Sequence, residues 1–291
     1  MASTLIKNIK TIYGIETQPS SFKKGTAMSV VDTYDNAYIL IENDKIISIG
    51  SMSSELPRVD TKIDANQGLV MPSWCDSHTH IVFAQGREGE YVDRLRGISY
   101  EQIAKNGGGI LNSAARLQAK KEDELYLSAK SRLDEVISMG TGAIEIKSGY
   151  GLTTESELKM LRVIRRLKEN SNATIKSSFL GAHAIPTIYK DNRQDYVDLL
   201  INEMIPIVVG EGLADYCDVF CDKGFFTLPE TDQILKAAAK YGLKAKIHAN
   251  ELAISGGVQI GIANDAVSVD HLEEIGQEEI DALLSSNTIP T

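Results

Sequence analysis

From Val70 onward the chain alternates short apolar segments with longer amphipathic ones, and this rhythm narrows the possible folds more than any other feature. Strand-length segments followed by helix-length segments predict a parallel α/β arrangement. The first predicted strand ends at His80, five more cover 141–147, 173–182, 214–221, 243–248 and 266–271, and a seventh opens at 288. Regular repetition of this unit predicts a (β/α)₈ barrel or a doubly wound sheet.

Residues 1–70 differ and indicate β structure. Two apolar segments, 38–41 and 45–49, flank the polar turn 42–44, which is a hairpin pattern, and 27–31 is predicted to be a further strand. These strands bury little alone and need a partner layer. We therefore predict a small β domain over 1–70, part of a sheet or sandwich, and an α/β domain over 71–291.

The five histidines are not scattered. His78 and His80 are one residue apart and share one face of the first strand, and the others, His183, His248 and His271, fall at or beside the ends of the third, fifth and sixth strands. A barrel carries its chemistry at the carboxyl ends of its strands. A pair of surface histidines would not explain this distribution, so a metal centre is predicted.

Neutral imidazoles suit a zinc or iron ion, and three of them, from His78, His80 and His248, leave a position open for water. Glu251 follows His248 by three residues and is placed to shuttle a proton, although a solvated loop carboxylate is the alternative. His271 is either a further ligand or a neighbour that hydrogen-bonds the water or the substrate carbonyl.

Several polar residues near the same strand ends are candidates for substrate binding. Arg87 can bind a carboxylate with two hydrogen bonds, although a surface ion pair is the simpler role for an arginine. Tyr100, Tyr150 and His183 add hydroxyl and imidazole groups. Arg87, Tyr150 and His183 around one pocket favour a small anionic substrate. Lys147, on the second strand, is either a carbamylated ligand of a two-metal site or structural, and we favour the structural role.

Composition excludes several partners. The net charge is −10, which argues against nucleic acid and against an anionic membrane surface. No apolar run approaches the roughly 20 residues that span a membrane. The three cysteines form no disulfide pattern and no secretory signal opens the chain, so a cytoplasmic protein is expected.

These residues resemble the amidohydrolase superfamily and, within it, the imidazolonepropionases. The resemblance runs from about residue 70 to the C-terminus and rests on segments that begin at His78, Gly107, Glu145, Glu157, Phe179, Ala214 and His248. It implies a truncated TIM-type (β/α)₈ barrel with a β-sandwich portion, and hydrolysis of 4-imidazolone-5-propanoate to N-formimidoyl-L-glutamate in histidine degradation. It also implies one zinc or iron ion bound by His78, His80 and His248. It further implies that Glu251 and His271 lie beside the reacting carbonyl and that the substrate is contacted by Arg87, Tyr100, Tyr150 and His183. The family commonly forms homodimers, which leaves a dimer open.

One departure from the family affects the expected activity. The family has a metal-binding aspartate at the end of an eighth strand, whereas this sequence stops as its seventh strand begins. We therefore expect the 291 residues alone to show little or no turnover of imidazolonepropanoate with added zinc or iron. Turnover near that of a full-length enzyme would contradict this expectation. Two alternatives remain: another deaminase or cyclic-amide hydrolase of the superfamily, and an inactive metal-binding fragment.

Overall fold

The computed structural model describes residues 2–16, 22–98, 102 and 108–291, so the predicted substrate contact Tyr100 lies outside the described residues. The chain divides into two compact units, Met1–Ser73 and Trp74–Thr291. No helix within the described ranges is both long enough and apolar enough to cross a membrane.

The first unit contains a five-stranded sheet. The strands are β1 (Ser3–Tyr13), β2 (Thr33–Glu42), β3 (Lys45–Ser51), β4 (Thr61–Asp64) and β5 (Leu69–Val70). They lie in the order β3-β2-β1-β4, and β5 also pairs with β1. The predicted hairpin is confirmed: β2 and β3 are antiparallel, and Asn43 and Asp44 turn the chain with positive φ angles of 49° and 66°.

The strand predicted at 27–31 is wrong. Gly25–Ser29 is a 3₁₀ helix without buried residues, closed by a hydrogen bond of 2.7 Å from Ser29 Oγ to the carbonyl oxygen of Thr26. A β-prone segment forms a strand only when another strand pairs with it. Here the local hydrogen bonds of the turn take the place of pairing.

The second unit is built on a seven-stranded parallel sheet whose strands are neighbours in chain order. They are β6 (Trp74–Thr79), β7 (Thr141–Lys147), β8 (Thr174–Ala182), β9 (Tyr216–Cys221), β10 (Lys244–Ala249), β11 (Ser268–His271) and β12 (Ile289–Pro290). This confirms the predicted incomplete (β/α)₈ barrel with a small N-terminal β domain.

Helices connect these strands. In the described residues they are α1 (Glu88–Leu95), α2 (Gly109–Ala119), α3 (Glu122–Ser138), α4 (Thr154–Glu169), α5 (Arg193–Leu199), α6 (Ile205–Gly210), α7 (Leu228–Lys240), α8 (Gly257–Ala263) and α9 (Gln277–Leu284). A proline inside the mostly helical segment 194–209 predicts a break at Pro206, but none lies there: a π-helical turn, Leu200–Met204, joins α5 to α6, and Pro206 lies in the first turn of α6. The main apolar core lies between helices and sheet, where α4 contributes Leu161, Ile164 and Leu167.

Candidate active site

The sheet brings the five histidines together. His78 and His248 have ring centroids 4.5 Å apart, and His271 lies 4.9 Å from His78 and 5.1 Å from His248. His80 lies 5.4 Å from His78 and 5.4 Å from His183, on which it stacks. The predicted convergence of imidazoles at the carboxyl ends of the strands is therefore present.

Two of the imidazoles are held by buried carboxylates. His78 Nδ1 lies 2.7 Å from Asp270 Oδ2, and His248 Nδ1 lies 3.1 Å from Asp218 Oδ1. A carboxylate at Nδ1 fixes the proton there and leaves the Nε2 lone pair available, which is the usual arrangement around a metal-binding histidine. The ligand atoms of His78, His248 and His271 all lie within 4.8 Å of one another, close enough for one ion.

His80 extends this group. Its Nε2 lies 3.4 Å from His248 Nε2, and its Nδ1 is buried without a hydrogen-bond partner in the described part of the chain. Two nitrogens on one tetrahedral zinc, each at about 2.0–2.1 Å, are separated by about 3.3–3.4 Å. The separation of His80 and His248 therefore fits two ligands of one metal ion.

The electrostatic environment keeps several of these imidazoles neutral. Burial lowers the pKa of His248 to about 4 and that of His183 to about 3. Burial and the neighbouring imidazoles of His183, His248 and His78 place the pKa of His80 well below its ordinary value. Because a metal binds only the neutral imidazole, this environment fits the predicted metal site.

A buried ionic network lies below the histidines on the inner face of the sheet. Lys147 Nζ is 2.7 Å from Glu145 Oε1, 2.7 Å from Asp218 Oδ2 and 3.3 Å from Asp270 Oδ2. Burial alone would lower the pKa of Lys147, but the carboxylates of Asp218, Glu145 and Asp270 raise it above its ordinary value. Lys246 also pairs with Glu145. These ion pairs support the structural role that we favour for Lys147, which stays a prediction.

Glu251 and His271 form a further pair at the carboxyl ends of the strands. Their Oε2 and Nε2 atoms lie 3.6 Å apart, and both side chains are half-buried. Asp222 Oδ2 fixes the backbone at Glu251 by accepting hydrogen bonds from the amides of Glu251 and Leu252, at 2.8 and 2.9 Å. His271 and Leu272 have positive φ angles of 87° and 64°, a strained conformation that is typical of functional sites.

A cavity of about 440 Å³ opens beside this pair. Its lining includes every predicted site residue that the structure describes, namely His78, His80, Arg87, Tyr150, His183, His248, Glu251 and His271. Arg87 also forms an ion pair with Glu90, whose Oε2 lies 2.5 Å from Nη2 and 2.7 Å from Nε of Arg87. Arg87 therefore both lines the cavity and makes the ion pair that was its alternative role. Arg94, Phe220 and Phe225 line the cavity as well and were missed.

Sequence reasoning also missed the charged residues around the histidines. Asp218, Lys246 and Asp270 are buried on strands β9, β10 and β11, and Asp222 follows β9 directly. A signal was available, because Lys246 precedes His248 by two residues and therefore shares its face of the strand. Charged residues in the middle of apolar strands are rarely buried unless they are paired.

Comparisons with known proteins place this chain among its relatives. It is 50% identical over 288 residues to the imidazolonepropionase of Christiangramia forsetii, covering 98% of this chain and 70% of that protein. It is 50% identical over 289 residues to the imidazolonepropionase of Flavobacterium johnsoniae, covering 99% and 70%. The corresponding values for the imidazolonepropionase of Thermoanaerobacter pseudethanolicus are 41% over 289 residues, 99% and 69%. No protein-family model matches the chain.

Solved structures share the fold at low sequence identity. A triazine hydrolase variant superposes with a TM-score of 0.70 at 15% identity, covering 99% of this chain and 64% of that chain. The 5-methylcytosine deaminase of Klebsiella pneumoniae superposes with a TM-score of 0.68 at 12% identity, covering 98% and 64%. Identities this low indicate a common fold and carry no information about substrate.

Proposed function

This chain belongs to the imidazolonepropionase family, and on that premise we propose that it hydrolyses the ring amide of 4-imidazolone-5-propanoate, giving N-formimidoyl-L-glutamate. The observation that carries the proposal is the convergence of His78, His80 and His248 beside Glu251 and His271 in one cavity. A hydrolase of a cyclic amide needs a water, a means to activate it and a proton donor for the leaving nitrogen.

His78, His80 and His248 are the residues that would hold a metal ion, with Asp270 and Asp218 orienting the first and third. We propose zinc or iron because neutral imidazole ligands suit both. When bound, such an ion supplies Lewis acidity that makes water a nucleophile near neutral pH.

The remaining chemistry belongs to Glu251 and His271. Glu251 takes a proton as the water oxygen attacks the ring carbonyl carbon, and it returns that proton to the ring nitrogen as the carbon–nitrogen bond breaks. His271, 3.6 Å from Glu251, faces the same space and hydrogen-bonds the carbonyl oxygen. The proton that leaves the water thus reaches the leaving nitrogen through a single carboxylate.

Arg87, Tyr150 and His183 are proposed to bind the propanoate and the ring, because they line the same cavity. Tyr100 remains a predicted contact. We also propose a cytoplasmic location, which the three free cysteines support, while a homodimer stays a prediction.

A substrate panel tests the proposed reaction against its closest rival, a deaminase or hydrolase of another ring. The chain, extended at its C-terminus with the segment that its longer relatives carry, is loaded with zinc or iron and assayed with 4-imidazolone-5-propanoate, cytosine and guanine. We expect imidazolonepropanoate to be preferred by at least about 100-fold, since sites built around polar groups strongly reject substrates that leave those groups unpaired. Equal or faster conversion of a neutral ring would contradict the proposal.

Asp222→Asn is expected to lower kcat by about 10–100-fold with KM nearly unchanged. The substitution disturbs the two amide hydrogen bonds that fix Glu251, and small displacements of a catalytic group cost about this much. Steady-state kinetics of the same C-terminally extended chain, at equal metal content, would measure it. Asp232→Asn, on helix α7, is the matched control and should leave kcat unchanged. An unaltered kcat in Asp222→Asn would show that Glu251 is positioned by other contacts.

A further inference from the structure

A second buried carboxylate, Glu157, holds a loop that belongs to the cavity. Glu157 lies in α4 and is fully buried. Its Oε2 accepts a hydrogen bond from the amide of Gly149 at 3.0 Å, and its Oε1 accepts from the amides of Gly151 and Leu152 at 2.7 and 2.9 Å. One carboxylate thus gathers three backbone amides from the loop that follows strand β7.

This carboxylate is not the helix cap that its position in the sequence predicts. Thr154 and Glu157 have the spacing of a capping box, but that prediction is wrong: the cap is Thr153, whose Oγ1 accepts the amide hydrogen of Ser156 at 3.2 Å. Thr154 Oγ1 instead donates to Glu203 at 2.5 Å. The hydrogen bonds of Glu157 therefore serve the loop that precedes the helix.

The loop needs such an anchor because its backbone is strained. Gly149 has a φ of 108°, and Leu152, which has a side chain, has a φ of 55°. A Cβ atom at Gly149 would lie 2.9 Å from His183 Nδ1, and one at Gly151 would lie 2.4 Å from the backbone nitrogen of Glu157. Strained conformations persist only where surrounding contacts hold them.

The same loop places two predicted substrate contacts. The carbonyl oxygen of Gly149 accepts a hydrogen bond from Nδ1 of the buried His183, at 3.0 Å. Tyr150 is carried by the loop itself, with its ring centroid 5.2 Å from that of His183 and 5.5 Å from that of His80. A shift of the loop would therefore move both side chains in the cavity.

We infer that Glu157 is a positioning residue that sets the affinity of the cavity for the substrate, by clamping loop 148–152 so that Tyr150 and His183 face the ligand. The inference rests on the proposed function for the roles of Tyr150 and His183. The carboxylate of Glu157 thus affects binding through the side chains of Tyr150 and His183.

Imidazole-4-propanoate is a suitable probe, because it has the ring and the carboxylate of the substrate but no ring carbonyl to hydrolyse. Its dissociation constant is measured by calorimetry on the zinc-loaded chain, so the result does not depend on turnover. Glu157→Gln keeps the shape of the side chain but turns an amide group toward backbone N–H donors. We expect binding about 10-fold weaker, with zinc content unchanged. Glu155→Gln, on the exposed face of the same helix, is the control and should bind as the parent chain does.

A double-mutant cycle shows whether Glu157 acts through the two side chains. In a Tyr150→Phe/His183→Asn background, Glu157→Gln should change the dissociation constant less than about 2-fold, because coupled residues are not additive. An equal effect in both backgrounds, or no effect in the parent chain, would overturn the inference. Unchanged binding by Tyr150→Phe/His183→Asn itself would instead refute the proposed substrate contacts. Should Glu157→Gln fail to fold, Glu157→Asp keeps the charge but withdraws the carboxylate by one methylene from the three loop amides, and should weaken binding about 2–3-fold; unchanged binding by that variant would overturn the inference.

Discussion

Replacing Lys147 with methionine is expected to lower the free energy of unfolding of the second unit by about 3–5 kcal/mol. The ammonium group is fully buried and lies within 3.3 Å of three carboxylates, from Glu145, Asp218 and Asp270. Methionine fills a similar volume but leaves Glu145 and Asp270 with Lys246 as their lysine partner, while Asp218 keeps only its contact with His248 among the ion pairs of the described residues. Removing one member of a buried ionic group is costly because the others lose a compensating charge and cannot reach water.

Thermal unfolding would measure this effect as a fall in Tm of roughly 6–20 °C. Lys236→Met is the matched control, because Lys236 pairs with Asp232 on the exposed surface of α7 and its side chain is 66% exposed. That surface pair should contribute less than about 1 kcal/mol. Similar Tm values for the parent chain and Lys147→Met would show that the buried carboxylates do not depend on the Lys147 charge.

The sequence predicted secondary structure best where the pattern of apolar and polar residues was uninterrupted. Strand β7 was predicted residue for residue as 141–147, because its apolar run is bounded by a glycine-bearing turn and a polar loop. Strand β1, at the centre of the first sheet, was not located. Its buried residues, Leu5, Ile9 and Ile12, follow helical rather than strand spacing, since a bulge between Ile6 and Ile9 shifts the register and Asn8 adopts a φ of 57°.

The residues of the site also fall into those that the sequence could place and those that it could not. Residues next to strand ends, such as His80 and His271, could be placed from the sequence because parallel strands bring their carboxyl ends together. The partners of these residues could not, because contacts such as Asp270 with His78 join positions 192 residues apart. The spacing of Thr154 and Glu157 predicts a capping box, which is wrong, because local spacing alone does not show which backbone amides a buried carboxylate will face.

The second large effect concerns metal affinity. It depends on which of two histidines, His80 or His271, is the third ligand of the proposed metal ion. Both imidazoles lie near His78 and His248, but their surroundings differ. His80 Nε2 is 3.4 Å from His248 Nε2, the separation of two ligands on one ion, whereas His271 Nε2 is 3.6 Å from Glu251 and so has a carboxylate partner of its own. We therefore expect His80→Ala to weaken zinc binding at least about 100-fold, since loss of an orienting partner alone costs about 10–100-fold.

Zinc content after gel filtration, and the zinc affinity from competition with a chelator, would measure the difference. The parent chain should retain about one equivalent of zinc, and His78→Ala, His80→Ala and His248→Ala should each lose it. His271→Ala should keep zinc, with an affinity within about 3-fold of that of the parent chain. His183→Ala is the control from the same cavity, because its Nδ1 is engaged by the carbonyl oxygen of Gly149, and it should also keep zinc. Retention by His80→Ala together with loss by His271→Ala would reverse the assignment and make His78, His248 and His271 the ligands, a set whose mutual distances also suit one ion.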